Sequence, residues 1–567
     1  MSAVTRRGLL GAAATGALSL AACAKPATNA LAPAAPAYEG EVSFDHGVAS
    51  GDPLPTKMIL WTRITPKSGT GPIPVRFDVF AADNNETPLI TGMTSAEASH
   101  DFCVKVDVAG LSPATRYTYR FTALTSAGDV ASPEGMTRTT ATSGTTPIRL
   151  GVVSCSNWQF GYFNAYKALA AEPNLDAIIH LGDYLYEYGV DGYGSQTAEA
   201  LGRLHEPATE IVSLDDYRKR HAQYKTDPNL QAAHAAAPWI CTWDDHESAN
   251  DSYRTGAENH NPDKGEGEWS DRKLRAIQAY FEWMPMREPE SGNITSAVWR
   301  DFTFGDVATI FATETRLTGR SPSIGWTDAV TTSDQTEMKA QIEAHLKVIN
   351  DPARTMMGAA QEAWIDKGLK ASVANGKTWQ VIANQVMMAR VALPDMSKAF
   401  TPEQIAQAIP QVQQMIGFSA LGLPFNLDAW DGYPAARGRL YDSVEAAGAR
   451  LVTLTGDIHS AWADTLLDDK GERVGVEFVT TSITSPGISA YITDVPDLGQ
   501  RFADANPEVE WHDPDGHGYI LMTLTPERAT GEFVKVSTVL STDFTAERVA
   551  TYEVMPEAKG VSALTRA

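Results

Sequence analysis

Three short segments concentrate the chemistry this chain can do: Asp183-Tyr184-Leu185-Tyr186, Trp243-Asp244-Asp245-His246-Glu247 and Thr455-Gly456-Asp457-Ile458-His459. An aspartate can bridge two cations through its two oxygens, and a tyrosine phenolate three residues on suits a hard trivalent ion such as Fe3+. Three carboxylates and an imidazole fill the four positions from Asp244 to Glu247. Adjacent carboxylates repel unless a proton or a cation lies between them, and a metal resolves that repulsion. The plain alternative is a solvated charged loop. Asp457 and His459 alternate, so an extended segment would project both to one side, where two ligand types serve two neighbouring metals. An aspartate capping a helix ahead of a surface histidine is the competing reading. Cys155, within Ser154-Cys155-Ser156-Asn157, adds a thiol in a polar setting, although a buried free cysteine is more often packing.

Buried strands must position these groups. Five apolar runs, 148–155, 177–183, 239–247, 381–385 and 451–459, end on metal-binding residue types. Short β-branched runs bounded by turn residues read as buried strands. Layered α/β proteins place ligands just beyond strand ends, so five ends can converge on one site. Gly182 permits a tight turn that exposes Asp183. The convergence implies a metal cluster and metal-dependent hydrolysis.

Strands and helical stretches alternate beyond Ile148, as expected of an α/β domain. Asp334 and Glu337 stand at capping-box spacing and predict a surface helix to Val348. Thr401-Pro402 starts another helix, and the stretch from Met415 to Tyr433 reads as a loop covering the site. Residues 41–140 alternate in an all-β texture, and Leu111 to Phe121 resembles the fibronectin type III pattern, in which a tyrosine near a strand start fixes the sheet corner. Residues 141–147 read as a linker.

At 567 residues the chain exceeds what one core usually serves. Its 43% hydrophobic and 20% charged residues are ordinary for a globular protein. A net charge of −24 disfavours nucleic-acid and anionic-membrane binding. A small anionic substrate stays compatible, because bound cations invert the field inside a site. Residues 1–35 read as an export segment and tether. Twin arginines, Arg6 and Arg7, precede a short Gly/Ala-rich apolar stretch, which makes the twin-arginine machinery a partner and the periplasm or cell envelope the destination. Leu20-Ala21-Ala22-Cys23 resembles a lipoprotein site with Cys23 as lipid anchor; ordinary cleavage nearby is the alternative. The remaining Cys103, Cys155 and Cys241 do not form a disulfide scaffold.

These motifs, together with Gly47-Val48-Ala49-Ser50-Gly51-Asp52-Pro53, Ile59-Leu60-Trp61-Thr62-Arg63, Ala429-Trp430-Asp431-Gly432-Tyr433-Pro434 and His517-Gly518-Tyr519, resemble the PhoD-like alkaline phosphatase/phosphodiesterase family within the calcineurin-like metallophosphoesterase class. The resemblance implies an αββα sandwich over 148–555 behind the N-terminal fibronectin III-like β-sandwich. It implies Fe3+ with Ca2+ (Zn2+ as the alternative) and hydrolysis of phosphate monoesters or diesters, phospholipids included, outside the cytoplasm. Carried over by position, Cys155, Asp183, Tyr186 and His459 hold iron. Asp183 bridges to calcium, with Asp245 and Asp457 on the calcium side and Asn384 where the class usually supplies histidine. His246 matches the imidazole near the leaving group and is the catalytic candidate. Glu314-Thr315-Arg316 departs from the family's Asp-Thr-Arg. The competing readings are a phospholipase D-like phosphodiesterase on the same fold and a non-catalytic exported protein that uses metals for stability. A serine esterase is disfavoured, since no Gly-x-Ser-x-Gly elbow is present.

Overall fold

The computed structural model describes residues 36–289, 292, 298–332, 334–401, 403, 416–490 and 495–567. The expected export segment, with Arg6, Arg7 and Cys23, and the body of the helix expected after Thr401 lie outside them.

Two sheets pack face to face. A ten-stranded sheet is centred on the parallel strands Ile148–Val153, Ala177–His180 and Trp239–Cys241, with the antiparallel strands His517–Leu524, Ala529–Val536 and Ala546–Val554 on one side. A seven-stranded sheet holds the parallel strands Ala308–Ala312, Trp379–Ala383, Leu451–Thr455 and Arg473–Val479. Strands covered on both faces need apolar residues at nearly every position, which is why these segments read as continuous runs. Val152, Ile179 and Ile240 share one core with Ile310, Val381 and Leu454 between the sheets. Helices Leu214–Tyr224, Pro228–Ala236 and Trp269–Trp283 cover the outer face of the first sheet through Tyr217, Leu230 and Ile277. Helices Ala359–Ala374, Pro434–Ala447 and Leu498–Ala505 cover the second through Ile365, Leu440 and Phe502. The result is the expected αββα stack. Helix Gln335–Ile349 starts where the spacing predicts, with the Asp334 carboxylate accepting from Thr336 N and Glu337 N.

The N-terminal β region is a sandwich with a shared face. Strands Val48–Gly51, Lys57–Arg63 and Cys103–Ala109 extend the ten-stranded sheet through a parallel pairing of Gly51 with Trp239. A separate five-stranded sheet closes over them around Leu60, Val106, Phe77 and Phe121. Tyr117 makes the expected corner, its hydroxyl accepting from Ser112 N at 2.8 Å. Joining the sheet covers the edge of Trp239–Cys241 that would otherwise present unpaired backbone groups. Asp52, 1% exposed, fastens the junction: it accepts from Arg300 Nη2 at 2.9 Å and Arg287 N at 2.7 Å, while Arg300 Nη2 also donates to Cys241 O at 2.6 Å. Trp61 Nε1 donates to Glu282 O at 2.8 Å. Two stretches that carry the family resemblance, Gly47–Pro53 and Ile59–Arg63, therefore join the N-terminal strands to the rest of the ten-stranded sheet. The 141–147 segment is tied down as well, by Gly305 N to Ala141 O and Gly144 N to Asp306.

Among the described residues, the buried Lys225 has no carboxylate counter-charge. Lys225, 1% exposed, donates to the Tyr184 hydroxyl at 2.9 Å, meets His234 Nε2 at 3.1 Å and lies over the Trp61 ring. Burial brings its pKa down to about 7, opposed only in part by Cys241 and Cys103. Between that value and the ordinary 10.5, the unfolded chain holds the extra proton, so stability rises with pH across the window. The cost is fully present below it. Lys225→Met is expected to raise the urea midpoint at pH 6.5 by the equivalent of roughly 1–4 kcal/mol, and by much less at pH 10. The Tyr184 hydroxyl and His234 Nε2, 2.9 Å apart, keep each other satisfied in that variant. An equal gain at both pH values would remove the titration argument.

Candidate metal centre

The loops after the parallel strands of both sheets meet at one edge. Thr242 Oγ1 donates to Thr313 O at 2.8 Å, Gln385 Nε2 donates to Thr242 Oγ1 at 2.8 Å, and Gly456 N donates to Gln385 O at 3.0 Å. Two glycines allow the approach. At Gly182 (φ +110°) a Cβ would lie 2.4 Å from Asp244 Cβ, and at Gly456 it would lie 2.8 Å from the Ser154 side chain. Glu247 pins two loops together by accepting from Asp183 N at 3.1 Å, Tyr184 N at 2.6 Å and Asp244 N at 2.9 Å. Burial raises its pKa to about 8 despite those bonds.

Four expected ligands adopt left-handed backbone: Cys155 (φ 62°), Asp183 (56°), Asp457 (68°) and His459 (58°). Each such residue costs about 1–2 kcal/mol, and such residues cluster where packing enforces a functional geometry. The extended alternation expected for Asp457 and His459 does not occur. The strand ends at Thr455, and the left-handed turns send the two side chains into different groups.

Those groups form a chain. Cys155, Asp183 and His459 each bring one ligand atom within 4.8 Å of the others, as do Asp183, Asp245 and His246, and again Asp244, Asp245 and Asp457. Asp183 and Asp245 each belong to two groups. The Tyr186 hydroxyl joins the first, 3.0 Å from both Asp183 Oδ2 and His459 Nε2, with Ser485 Oγ at 2.6 Å. Asn384 is buried nearby, but its amide bonds to Val386 O and, at 3.4 Å, to Thr455 Oγ1, while its oxygen accepts from Trp430 Nε1 at 3.3 Å.

This donor set fits cations. Asp183 Oδ1 and Asp244 Oδ2 are buried without a hydrogen-bond partner among the described residues, a lack that a bound cation would satisfy. Burial drives the Asp183 pKa well up, and Asp245, Asp244 and Glu247 add to this against His246. Burial and Asp244 do the same to Asp457 against Arg316. Thiol, phenol and imidazole surround one end of the chain of groups, while carboxylates with the Arg316 guanidinium among them make up the other, which separates a softer or trivalent place from an all-oxygen donor set.

His246 Nδ1 lies 2.7 Å from Glu187 Oε2, and its ring centre is 4.2 Å from that of Tyr186. Glu187 is itself held by Asn250 N at 2.8 Å and Asn259 Nδ2 at 2.7 Å. Burial pulls the His246 pKa down, but Asp245, Glu187 and Asp183 outweigh it and hold the pKa well above the usual histidine range.

Sequence reasoning missed Asp244, Glu187, Arg316 and Asp428 as members of the site. Asp244 stood inside a quoted motif, and Glu187 follows Tyr186 directly. Arg316 was marked only through the departure of Glu314-Thr315-Arg316 from the family pattern, and Asp428 carried no local signal. Glu314, the departure from Asp-Thr-Arg, folds back on its own turn to accept from Arg316 N, Leu317 N and Trp243 Nε1, fixing Arg316 from behind.

The PhoD-like phosphatase family profile matches residues 150–533, and the PhoD-like phosphatase N-terminal domain profile matches residues 30–141. Alkaline phosphatase D of Bacillus subtilis (strain 168) is 34% identical over 506 residues, which cover 86% of this chain and 77% of that protein. A solved structure of PhoD aligns with a TM-score of 0.75 at 30% identity, over 94% of this chain and 93% of the other. Shared fold, order of segments and extent of identity agree: the chain belongs to the PhoD-like phosphatase family, a family of phosphoesterases.

Proposed function

We propose that this protein is an exported, metal-dependent phosphoesterase of alkaline phosphatase type, acting on phosphate monoesters, diesters or both. One observation carries the reading: buried carboxylate oxygens without partners, at Asp183 and Asp244, lie within a continuous chain of ligand groups on a PhoD-like fold. Cys155, Asp183, Tyr186 and His459 would hold Fe3+. Asp183, Asp245 and Asp457 would hold Ca2+, with Asn384 contributing its amide oxygen. Bound there, the cations supply Lewis-acid polarisation of the phosphoryl group and acidify water for attack.

The chain's own residues do the rest. Glu187 orients His246 through Nδ1, so the proton at Nε2 is the one available to a departing alkoxide. Carboxylates around the ring keep that proton in place. Tyr186 packs at a tilt against His246, and Ser485 Oγ donates to its oxygen, which places it beside the Asp183 carboxylate and His459. The twin arginines support export, and Cys23 offers a lipid anchor. No helix among the described residues is long and apolar enough to cross a membrane.

The test combines elemental analysis with chelation. Purified protein is expected to carry iron and calcium and to lose turnover of a chromogenic phosphate monoester on strong chelation, with recovery when both ions return. Full activity in exhaustively chelated protein would overturn the metal-dependent mechanism. A chromogenic bis-ester assayed in parallel ranks diester against monoester hydrolysis.

A further inference from the structure

The loop that leaves strand Arg473–Val479 wraps onto the thiol and phenol end of the centre. Ile483 N donates to Ser154 O at 3.0 Å, and Thr484 Oγ1 donates to Asn157 O at 2.7 Å. His517 and Gly518, from a segment that carries the family resemblance, clamp the loop from behind. Gly518 N donates to Ser482 O at 3.0 Å, and His517 Nε2 lies 3.1 Å from Ser485 O, which also accepts from Ser482 Oγ at 2.6 Å. Ser485 is 0% exposed, and its hydroxyl proton has two acceptors in reach, the Tyr186 oxygen at 2.6 Å and Cys155 O at 3.1 Å. Cys155 O already accepts from Thr484 N at 3.3 Å and Ser485 N at 3.4 Å, so the proton goes to the tyrosine.

Two other groups meet the Tyr186 oxygen, and neither can donate to it once both side chains are ligands. Asp183 Oδ2, at 3.0 Å, only accepts. His459 Nε2 is also 3.0 Å away, but Nδ1 of the same ring lies 3.1 Å from Pro486 O, a carbonyl that can only accept. Nδ1 therefore carries the ring proton, and Nε2 is a bare lone pair. Resting on the reading of Tyr186 as an Fe3+ ligand, we infer that Ser485 is a positioning residue that tunes this ligand: its hydroxyl donates to the phenolate oxygen, draws charge from it and leaves the ion a stronger Lewis acid toward phosphate. A hydrogen bond to an anionic oxygen is short and strong, and such partners set how much charge a metal ligand gives. The clamped loop fixes the serine in advance, so the bond needs no rearrangement when the phenolate forms.

The phenolate itself reports on this, independently of activity. A phenolate on Fe3+ gives a visible charge-transfer band, and resonance Raman excitation in that band shows the phenolate C–O stretch. Protein is stripped and reloaded with iron and calcium in H2O or in D2O. In wild type the C–O stretch is expected to shift between the two solvents, because the proton donated by Ser485 has exchanged; this reading needs no variant. Ser485→Ala, at equal iron content, is expected to lose the isotope shift and to move the band to longer wavelength, since a phenolate without a donor gives up its electron more easily. A C–O stretch insensitive to D2O in wild type, or an isotope shift that survives in Ser485→Ala, overturns the inference. Iron-loaded wild type without the band, or a band that persists in Tyr186→Phe, would instead overturn the placing of iron on Tyr186 in the proposed function.

Discussion

Asp183→Asn is expected to lower kcat/KM for a phosphate ester by roughly a thousandfold or more while making the metal-stripped protein more stable. The two effects share one cause. Asp183 is the residue common to the thiol-imidazole group and the carboxylate group, so removing its charge weakens both cation places together. The same charge is a burden without cations. Asp183 is 2% exposed, its Oδ1 has no donor, and Asp245, Asp244 and Glu247 repel it. Asparagine preserves the shape and can still accept from the Tyr186 hydroxyl, so the loop keeps its left-handed turn, which Asn tolerates well. Stability of the stripped variant should rise by about 1–3 kcal/mol, read as a higher denaturation midpoint in chelator. Loss of activity accompanied by a lower midpoint would assign Asp183 to structure. Retained iron and calcium in an inactive variant would assign it to a step after cation binding.

The residues legible in the sequence share one property: each lies in the loop that leaves the end of a buried strand. Asp183, Asp245, Asp457 and Cys155 could be read because a run of β-branched residues fixes where a strand ends, and a ligand-type residue there has little else to do. The sandwich was legible through the Tyr117 corner for the same local reason. What could not be read depends on long-range contacts. Arg316 reaches Asp244 across 72 positions and Asp457 across 141, and no local pattern connects them. The merging of the N-terminal strands into the ten-stranded sheet rests on pairing of Gly51 with Trp239, which leaves no periodic trace. The turn at Asp457 and His459 was misread as extended because a two-residue spacing looks alike in a strand and in a pair of left-handed turns. Backbone handedness at non-glycine residues is selected by packing, here by loops crowding Gly182 and Gly456, at Asp and His residues that tolerate it better than most.

His246→Gln should separate proton transfer from phosphate binding through its dependence on the leaving group. An alkoxide leaves slowly unless it is protonated as the bond breaks, whereas a nitrophenolate leaves readily without help. His246 has one nitrogen engaged by Glu187, a ring clamped against Tyr186, and three carboxylates favouring its charged form. Such an imidazole is placed to deliver a proton. Turnover of an alkyl phosphate is therefore expected to fall about 10²–10⁴-fold in His246→Gln, with a loss of less than about tenfold for a nitrophenyl ester. Glu187→Gln should follow the same asymmetry at a smaller scale, about 10–100-fold for the alkyl ester, because it leaves the ring present but less well oriented and less basic. Glutamine at 246 retains a hydrogen-bond donor near the phosphoryl group, so binding alone would survive the change. Equal losses for both esters in both variants would mean that the dyad grips the phosphoryl group, and the proton for the leaving oxygen would then have to come from water.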